Sequence, residues 1–146
     1  MGRRFRGQPD DHPLVRESEA RDAILVQINP RDRPETPRSA AEILNRLNEI
    51  SFNSPLMKEL RMIALLRQVA DPGHGEGARW AGMRTHRITT DLMVELGVSS
   101  KLNAEWAFFT LLQEEGRRSA EAFLNTHAND IGQRSTLNVD DLLQQI

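Results

Sequence analysis

The chain has 146 residues, of which 38% are hydrophobic and 27% are charged, with a formal net charge of −2 at pH 7 and no cysteine. This length and composition are sufficient for a folded domain with its own core. The absence of cysteine excludes disulfides, thiolate metal sites and a cysteine nucleophile, and the charge gives no general attraction to nucleic acid. We therefore expect a cytoplasmic protein that binds no nucleic acid and uses no cofactor.

Residues 1–35 form the first predicted unit. Residues 1–22 are polar and interrupted by two prolines, and the basic start is followed by no apolar segment, which argues against a signal peptide. Residues 23–28 are a continuous apolar run ended by Asn29 and Pro30, a pattern typical of a strand buried on both faces of a sheet. A lone strand leaves its backbone groups unpaired, so this strand needs a partner.

Residues 36–146 form the second predicted unit, which is mainly helical. Thr36 before Pro37 predicts the start of one helix, and Ser54 before Pro55 predicts the start of a second. The following stretch, residues 71–82, contains four glycines and a proline. It resembles a phosphate-binding loop but follows a helix rather than a strand, so we expect a flexible connection instead.

The rest of this unit combines one weak strand with three helices. Residues 83–89 are a candidate for a second strand, although their apolar and polar side chains alternate only weakly. A short helix is expected after this strand, ending at Gly97. Residues 102–115 are the most apolar helix, which Gly116 is expected to kink or end. The last helix, residues 139–144, follows a capping residue, Asn138.

Aromatic side chains of the most apolar helix are the predicted core. Trp106, Phe109 and Leu112 are expected to be largely buried and to pack on the helix that carries Leu60 and Ala64.

No catalytic residue is predicted in this chain, because no serine lies in a Gly-x-Ser-x-Gly elbow. One cluster of charges is a candidate for binding. Arg84, His86 and Arg87 lie together on the second predicted strand and are able to contact an anion such as a phospholipid head group. The alternative is an edge strand whose charges prevent pairing with other chains.

Several blocks resemble bacterial patatin-like phospholipases. Residues 25–30 (Leu-Val-Gln-Ile-Asn-Pro) and 43–53 (Ile-Leu-Asn-Arg-Leu-Asn-Glu-Ile-Ser-Phe-Asn) resemble the region after the catalytic core of that family. Residues 99–106 (Ser-Ser-Lys-Leu-Asn-Ala-Glu-Trp) and 134–137 (Arg-Ser-Thr-Leu) resemble its appended C-terminal domain of unknown function. The resemblance covers the chain from about residue 7 to its end.

The resemblance implies an α/β/α acyl hydrolase with a Ser-Asp dyad, in which the serine lies on a Gly-x-Ser-x-Gly elbow and the aspartate in an Asp-Gly-Gly or Asp-Gly-Ala motif. Neither motif is present in these 146 residues. A chain that resembles only the end of the enzyme is expected to be mainly α, with one or two short strands left over from the α/β/α core. It is also expected to be inactive alone, and to reach lipid or a membrane surface only through the parent enzyme.

Two interpretations follow from the strand at residues 23–28. Either it belonged to the sheet of a hydrolase, or the chain is a standalone helical interaction protein. In both cases the strand needs a partner, either residues 83–89 of the same chain or the same strand of a second copy. Because two-fold pairing satisfies both copies equally, we expect a homodimer.

Overall fold

A computed structural model of the chain describes residues 19–70, 73, 75–96, 100 and 102–143. Within these ranges the protein is mainly helical with two short strands, which confirms the predicted fold class. In chain order the elements are β1 (Asp22–Val26), α1 (Ala40–Val69), α2 (Gly75–Ala81), β2 (Arg84–Ile88), α3 (Leu92–Glu95), α4 (Trp106–His127) and a final 3-10 helix (Asp140–Leu143). The polar residues 1–22 predict a loop or extended arm, of which residues 1–18 lie outside the described residues, as does the predicted helix end at Gly97.

Strands β1 and β2 pair with each other in parallel, with Asp22 opposite Arg84 and Val26 opposite Ile88. Both predicted strands are confirmed, and the pairing is within the chain. Because the strands run in the same direction, a crossover through α1 and α2 joins them, as parallel strands require.

A helix contacts each face of this small sheet, but neither helix covers it. On one face, the side-chain amide of Gln27 donates to Oδ1 of Asn53 in α1, at 3.4 Å. On the other face, the ring of Phe123 in α4 packs edge-on against His86 of β2, with centroids 6.1 Å apart. The arrangement of a helix on each side of parallel strands is that of an α/β/α layer structure.

The outer edge of β2 is covered by the segment that precedes the 3-10 helix. The backbone N–H groups of Thr136 and Leu137 both donate to the carbonyl of Thr85, at 3.0 and 2.9 Å. The Thr85 N–H donates in turn to Oγ of Ser135, at 3.1 Å. Any additional strand would therefore have to join the sheet beyond β1.

Helix α1 is one continuous helix of 30 residues, so the predicted break at Ser54 and Pro55 is wrong. It begins after Ser39, which forms a capping box with Glu42, rather than after Thr36. A proline inside a helix removes one hydrogen bond and costs about 3 kcal/mol. Burial of α1 residues before and after Pro55 offsets that cost, since Asn53 and Ile63 are both buried.

Helix α2 replaces the predicted flexible loop over part of its length. Its last turn contains Ala78, Arg79 and Trp80, which are compatible with a helix, and the N–H of Gly82 bonds to the carbonyl of Ala78 at 3.1 Å. Contact with α1 stabilises this short helix, since tertiary packing overrides weak local propensity.

Helix α4 starts at Trp106 and continues without interruption through Gly116 to His127, so the predicted end at Gly116 is wrong. The predicted burial of two of its aromatic residues is also wrong. Trp106 is 82% exposed and Phe109 is 48% exposed. The buried aromatic residue is Phe123, because α4 packs mainly against β2 through its second half, and Leu112 is only half-buried.

The described core is small. Ala64 of α1 and Val139 are fully buried, and Met57, Leu60 and Leu137 pack against them. Val139 directly follows the predicted cap residue, Asn138, whose Oδ1 accepts a hydrogen bond from the N–H of Asp140 at 3.1 Å. Among the described residues, no helix combines the length and the apolar character needed to cross a bilayer.

Candidate functional site

Polar groups converge on Asp22 at the amino-terminal end of the sheet. Arg84 donates to it twice, from Nε at 2.9 Å and from Nη2 at 2.6 Å. Nε2 of His86 lies 3.1 Å from Oδ1 of Asp22, and the N–H of Gly132 donates to the same oxygen at 2.9 Å. Gly132 has a φ of 81°, a left-handed conformation that favours glycine and aims this N–H at the carboxylate.

Hydrogen bonding keeps Asp22 ionised. The bidentate bond from Arg84 is the largest cause, with the Gly132 N–H and His86 adding to it against the opposing effect of burial, and together they hold the pKa of Asp22 well below its usual range. An ionised carboxylate only accepts hydrogen bonds, so Nε2 of His86 carries the hydrogen and Nδ1 faces Oγ1 of Thr136 at 3.1 Å.

The chain Asp22–His86–Thr136 has the composition of a nucleophile-base-acid relay, but its surroundings exclude that role. The His86 side chain is 0% exposed and packed under Phe123, which leaves no space for a substrate beside its ring. In such a relay the histidine must also pass its proton to the leaving group of the substrate, and the buried ring of His86 has no access to one. We conclude that this cluster fastens β1, β2 and residues 132–136 to one another.

The three residues predicted to contact an anion do not all lie together in the structure. Arg84 and His86 both bind Asp22, whereas Arg87 is exposed and lines a shallow groove beside α4. Arg84 and His86 are two positions apart and point to the same face of β2, so both reach Asp22. No shared anion site is formed by the three, and anion binding at Arg87 stays a prediction.

A cavity of about 260 Å³ lies at the opposite, carboxyl-terminal end of the sheet. It is enclosed by the ends of both strands, by α3 and by the first half of α4. Most of its wall is apolar: Val26, Ile28, Ile88, Met93, Leu96, Phe108 and Leu112. Ligands in parallel α/β structures bind at the carboxyl ends of the strands, and a mainly apolar concave site with a few polar groups is the usual form of a small-molecule pocket.

Two ionised carboxylates in the cavity wall are paired with arginine side chains. Glu115 accepts from Arg118 at 2.7 Å and from the Thr90 hydroxyl. The bond from Arg118 is the main reason why the pKa of Glu115 falls to about 2. Glu49 binds Arg33 and Arg46, and Arg33 chiefly lowers the pKa of this buried group. Both carboxylates therefore act as hydrogen-bonded parts of the wall and do not repel an anionic ligand strongly.

Apolar side chains are also exposed on β1 and α1. On one face of β1, Ile24 is 47%, Val26 64% and Ile28 60% exposed. An exposed stripe along α1 comprises Ile43, Leu44, Leu47 and Ile50 near its start and Leu65 and Val69 near its end, with the polar residues Ser54, Lys58 and Arg61 between the two groups. Groups of exposed apolar side chains are typical of a surface that contacts another protein or a ligand.

Comparison with family models, with curated proteins and with solved structures finds no match to the chain. Over the described ranges, no group of three or more histidine and acidic residues is placed to hold a metal ion. The site must therefore be interpreted from its own geometry.

Sequence reasoning missed both features of the site. The polar composition of residues 1–22 predicts an arm, but Asp22 is the first residue of β1 and binds partners at that end of the sheet. The cavity has no sequence signal, because Ile88, Met93 and Phe108 belong to three separate elements that only the fold brings together.

Proposed function

We propose that the chain is the C-terminal portion of a patatin-like serine lipid hydrolase, and that it does not hydrolyse esters by itself. The observation that carries the proposal is the incomplete parallel sheet. Its two strands have a helix on each face, as in an α/β/α hydrolase, but among the described strands β1 has only β2 as a neighbour.

The exposed side chains on β1 favour an extended sheet. Parallel strands are almost always buried on both faces, yet Ile24 and Val26 are each about half exposed or more. Since residues 135–137 already cover β2, the open side is that of β1. A strand added there, with its own covering helix, would bury these side chains, and the catalytic core of a hydrolase has both.

The exposed stripe on α1 supports the same proposal. The buried side of α1 carries Asn53, Ile63 and Ala64, while Ile43, Leu47 and Ile50 lie on a different, exposed side. A helix with two apolar sides is normally enclosed between two packed layers. The second layer is absent among the described residues and would be part of the catalytic core.

Two measurements test this proposal. The DNA upstream of the segment that encodes this chain should contain an in-frame sequence with a Gly-x-Ser-x-Gly and an Asp-Gly-Gly motif. The purified 146-residue chain should show no turnover of p-nitrophenyl butyrate above background, since it has no elbow serine. An upstream stop codon without these motifs, or turnover that a serine-directed phosphonate abolishes, contradicts the proposal.

A second function, self-association without catalysis, is favoured by the same open strand. Two copies of β1 paired across a two-fold axis would satisfy both edges, giving the homodimer expected from the sequence. Light scattering after size exclusion measures the mass directly. Val26→Lys should dissociate the dimer while the fold tolerates it, because Val26 is 64% exposed within one chain. Gln113→Lys adds the same charge at an exposed position of α4 and serves as the control.

A monomeric wild-type chain at high micromolar concentration would rule out self-association through β1. It would leave the hydrolase proposal intact, because that proposal assigns the open strand to a different partner.

A further inference from the structure

We propose that the cavity at the carboxyl ends of β1 and β2 binds a medium-chain aliphatic molecule with an anionic head group, with the chain inside the cavity and the head group on Arg87. This binding would use residues of this chain alone, and its test is made on the 146-residue chain by itself. Val26 of the cavity wall is also one of the side chains that the proposed catalytic core would cover.

The shape and lining of the cavity select an aliphatic chain. The volume of about 260 Å³ is close to the lower limit of small-ligand pockets, near 300 Å³. The side chains of Ile88, Met93 and Leu112 supply aliphatic contacts, and burial of each methylene group contributes about 0.8 kcal/mol. The charged groups of the wall are already paired, since Glu115 is held by Arg118 and Thr90 and Glu49 by Arg33. A chain without polar groups leaves these pairs undisturbed.

The groove beside α4 that Arg87 lines is adjacent to the cavity and favours a negatively charged head group. Cavity and groove share Ile88, Thr89, Thr90 and Ser119 in their walls, so the groove lies directly beside the cavity. Arg87 lines this groove and is exposed.

Arg118 and His127 also line the groove, but Arg118 is paired with Glu115 and His127 with Asp130. The exposed carboxylate of Asp91 lines the groove as well and interacts with Arg118. Arg87 has no ion pair among the residues that the structure describes. An arginine with free donors binds a carboxylate or phosphate through paired hydrogen bonds. Arg87 is therefore the group in this groove best placed to bind a negative head.

Gly116 provides a way to close the cavity without disturbing the fold. It lies in the cavity wall on α4, and a Cβ built on it meets nothing within 4 Å. Gly116→Leu should fill the space that the ligand chain would occupy. Gly116→Ala, at the same position with a smaller side chain, is the matched control and should leave binding largely intact.

Decanoate is the probe, titrated calorimetrically below its micelle-forming concentration. We expect saturable binding that Gly116→Leu abolishes and that Arg87→Gln weakens about fivefold, the effect of one exposed ion pair. Decanol, which has the same chain without the charge, should bind more weakly than decanoate. Binding that Gly116→Leu leaves unchanged would overturn the location, and equal binding of decanol and decanoate would overturn the role of Arg87.

Methionine methyl NMR gives a readout that does not depend on a variant. Met93 lines the cavity, whereas Met57 packs against the core around Val139 and Ala64. Decanoate should shift the Met93 methyl resonance in the wild-type protein and leave that of Met57 in place. Equal shifts at both positions, or none at Met93, would contradict binding in this cavity even if Gly116→Leu failed to fold.

Discussion

The two ends of the β1–β2 sheet differ in how completely their side chains are paired. At the amino-terminal end, the carboxylate of Asp22 accepts hydrogen bonds from Arg84, His86 and Gly132, and Phe123 covers the histidine. At the carboxyl-terminal end, the strands lead into a mainly apolar cavity. A fully satisfied polar network rigidifies the structure around it, whereas side chains that line a cavity have protein contacts on one side only. Stability is therefore concentrated at the first end, and space for a ligand at the second.

The largest expected effect concerns Phe123, because it is the buried aromatic residue of α4 and lies at the paired end. Phe123→Ala should lower the free energy of unfolding by about 3–5 kcal/mol, the usual cost of removing a buried phenyl ring. Trp106→Ala, at the other end of the same helix, should change it by no more than about 0.5 kcal/mol, since Trp106 is 82% exposed. Urea unfolding followed by circular dichroism measures both, and similar losses for the two variants would remove the contrast between the ends.

A smaller effect is expected from Asp22, which joins three parts of the chain. Asp22→Asn keeps the shape but removes the charge that Arg84 and His86 bind, and should cost about 2 kcal/mol, as expected for charged hydrogen bonds. Asp32→Asn is the control, because Asp32 is 81% exposed and pairs only with neighbouring Arg31 among described residues. A loss below about 0.5 kcal/mol for Asp22→Asn would show that the network contributes little.

The same carboxylate predicts how stability depends on pH. The folded-state pKa of Asp22 lies below its ordinary value of 3.8, so the ionised form stabilises the folded state at pH values above 3.8. That contribution is lost as the pH falls from 3.8 toward the folded-state pKa. The difference in unfolding free energy between wild type and Asp22→Asn should therefore be constant from pH 7 to 5 and shrink in stronger acid. A difference that grew in acid would contradict the assignment.

The smallest expected changes in stability come from substituting two glycines, one near each end of the β1–β2 sheet. Gly116→Ala should stabilise the protein by about 0.5–1 kcal/mol, because alanine is the better residue inside a helix and the added methyl group meets no atom within 4 Å. Gly132→Ala should destabilise it by about 1–2 kcal/mol, since the φ of 81° is unfavourable for a residue with a Cβ. Thermal unfolding of the two variants distinguishes the signs, and a shift in the same direction for both would contradict the argument.

Sequence patterns determined those elements whose signals are local. The apolar run at residues 23–28 and the weak alternation at residues 83–89 predicted both strands, and the start of the last turn followed from Asn138. The mainly helical class also followed from spacing, because a period of 3.6 residues is a property of the chain itself. The absence of an elbow serine is likewise a fact of the sequence alone.

Tertiary structure decided what depends on residues far apart in the chain. Pro55 and Gly116 predicted helix ends, but both helices continue through them, since tertiary context overrides local propensity. Phe123 is buried because it packs against His86 of β2, whereas Trp106 is exposed. The cavity and the Asp22 network join groups from separate elements, up to 110 positions apart for Asp22 and Gly132. Such neighbours are set by the fold as a whole, since no local pattern records which distant residue a side chain will meet.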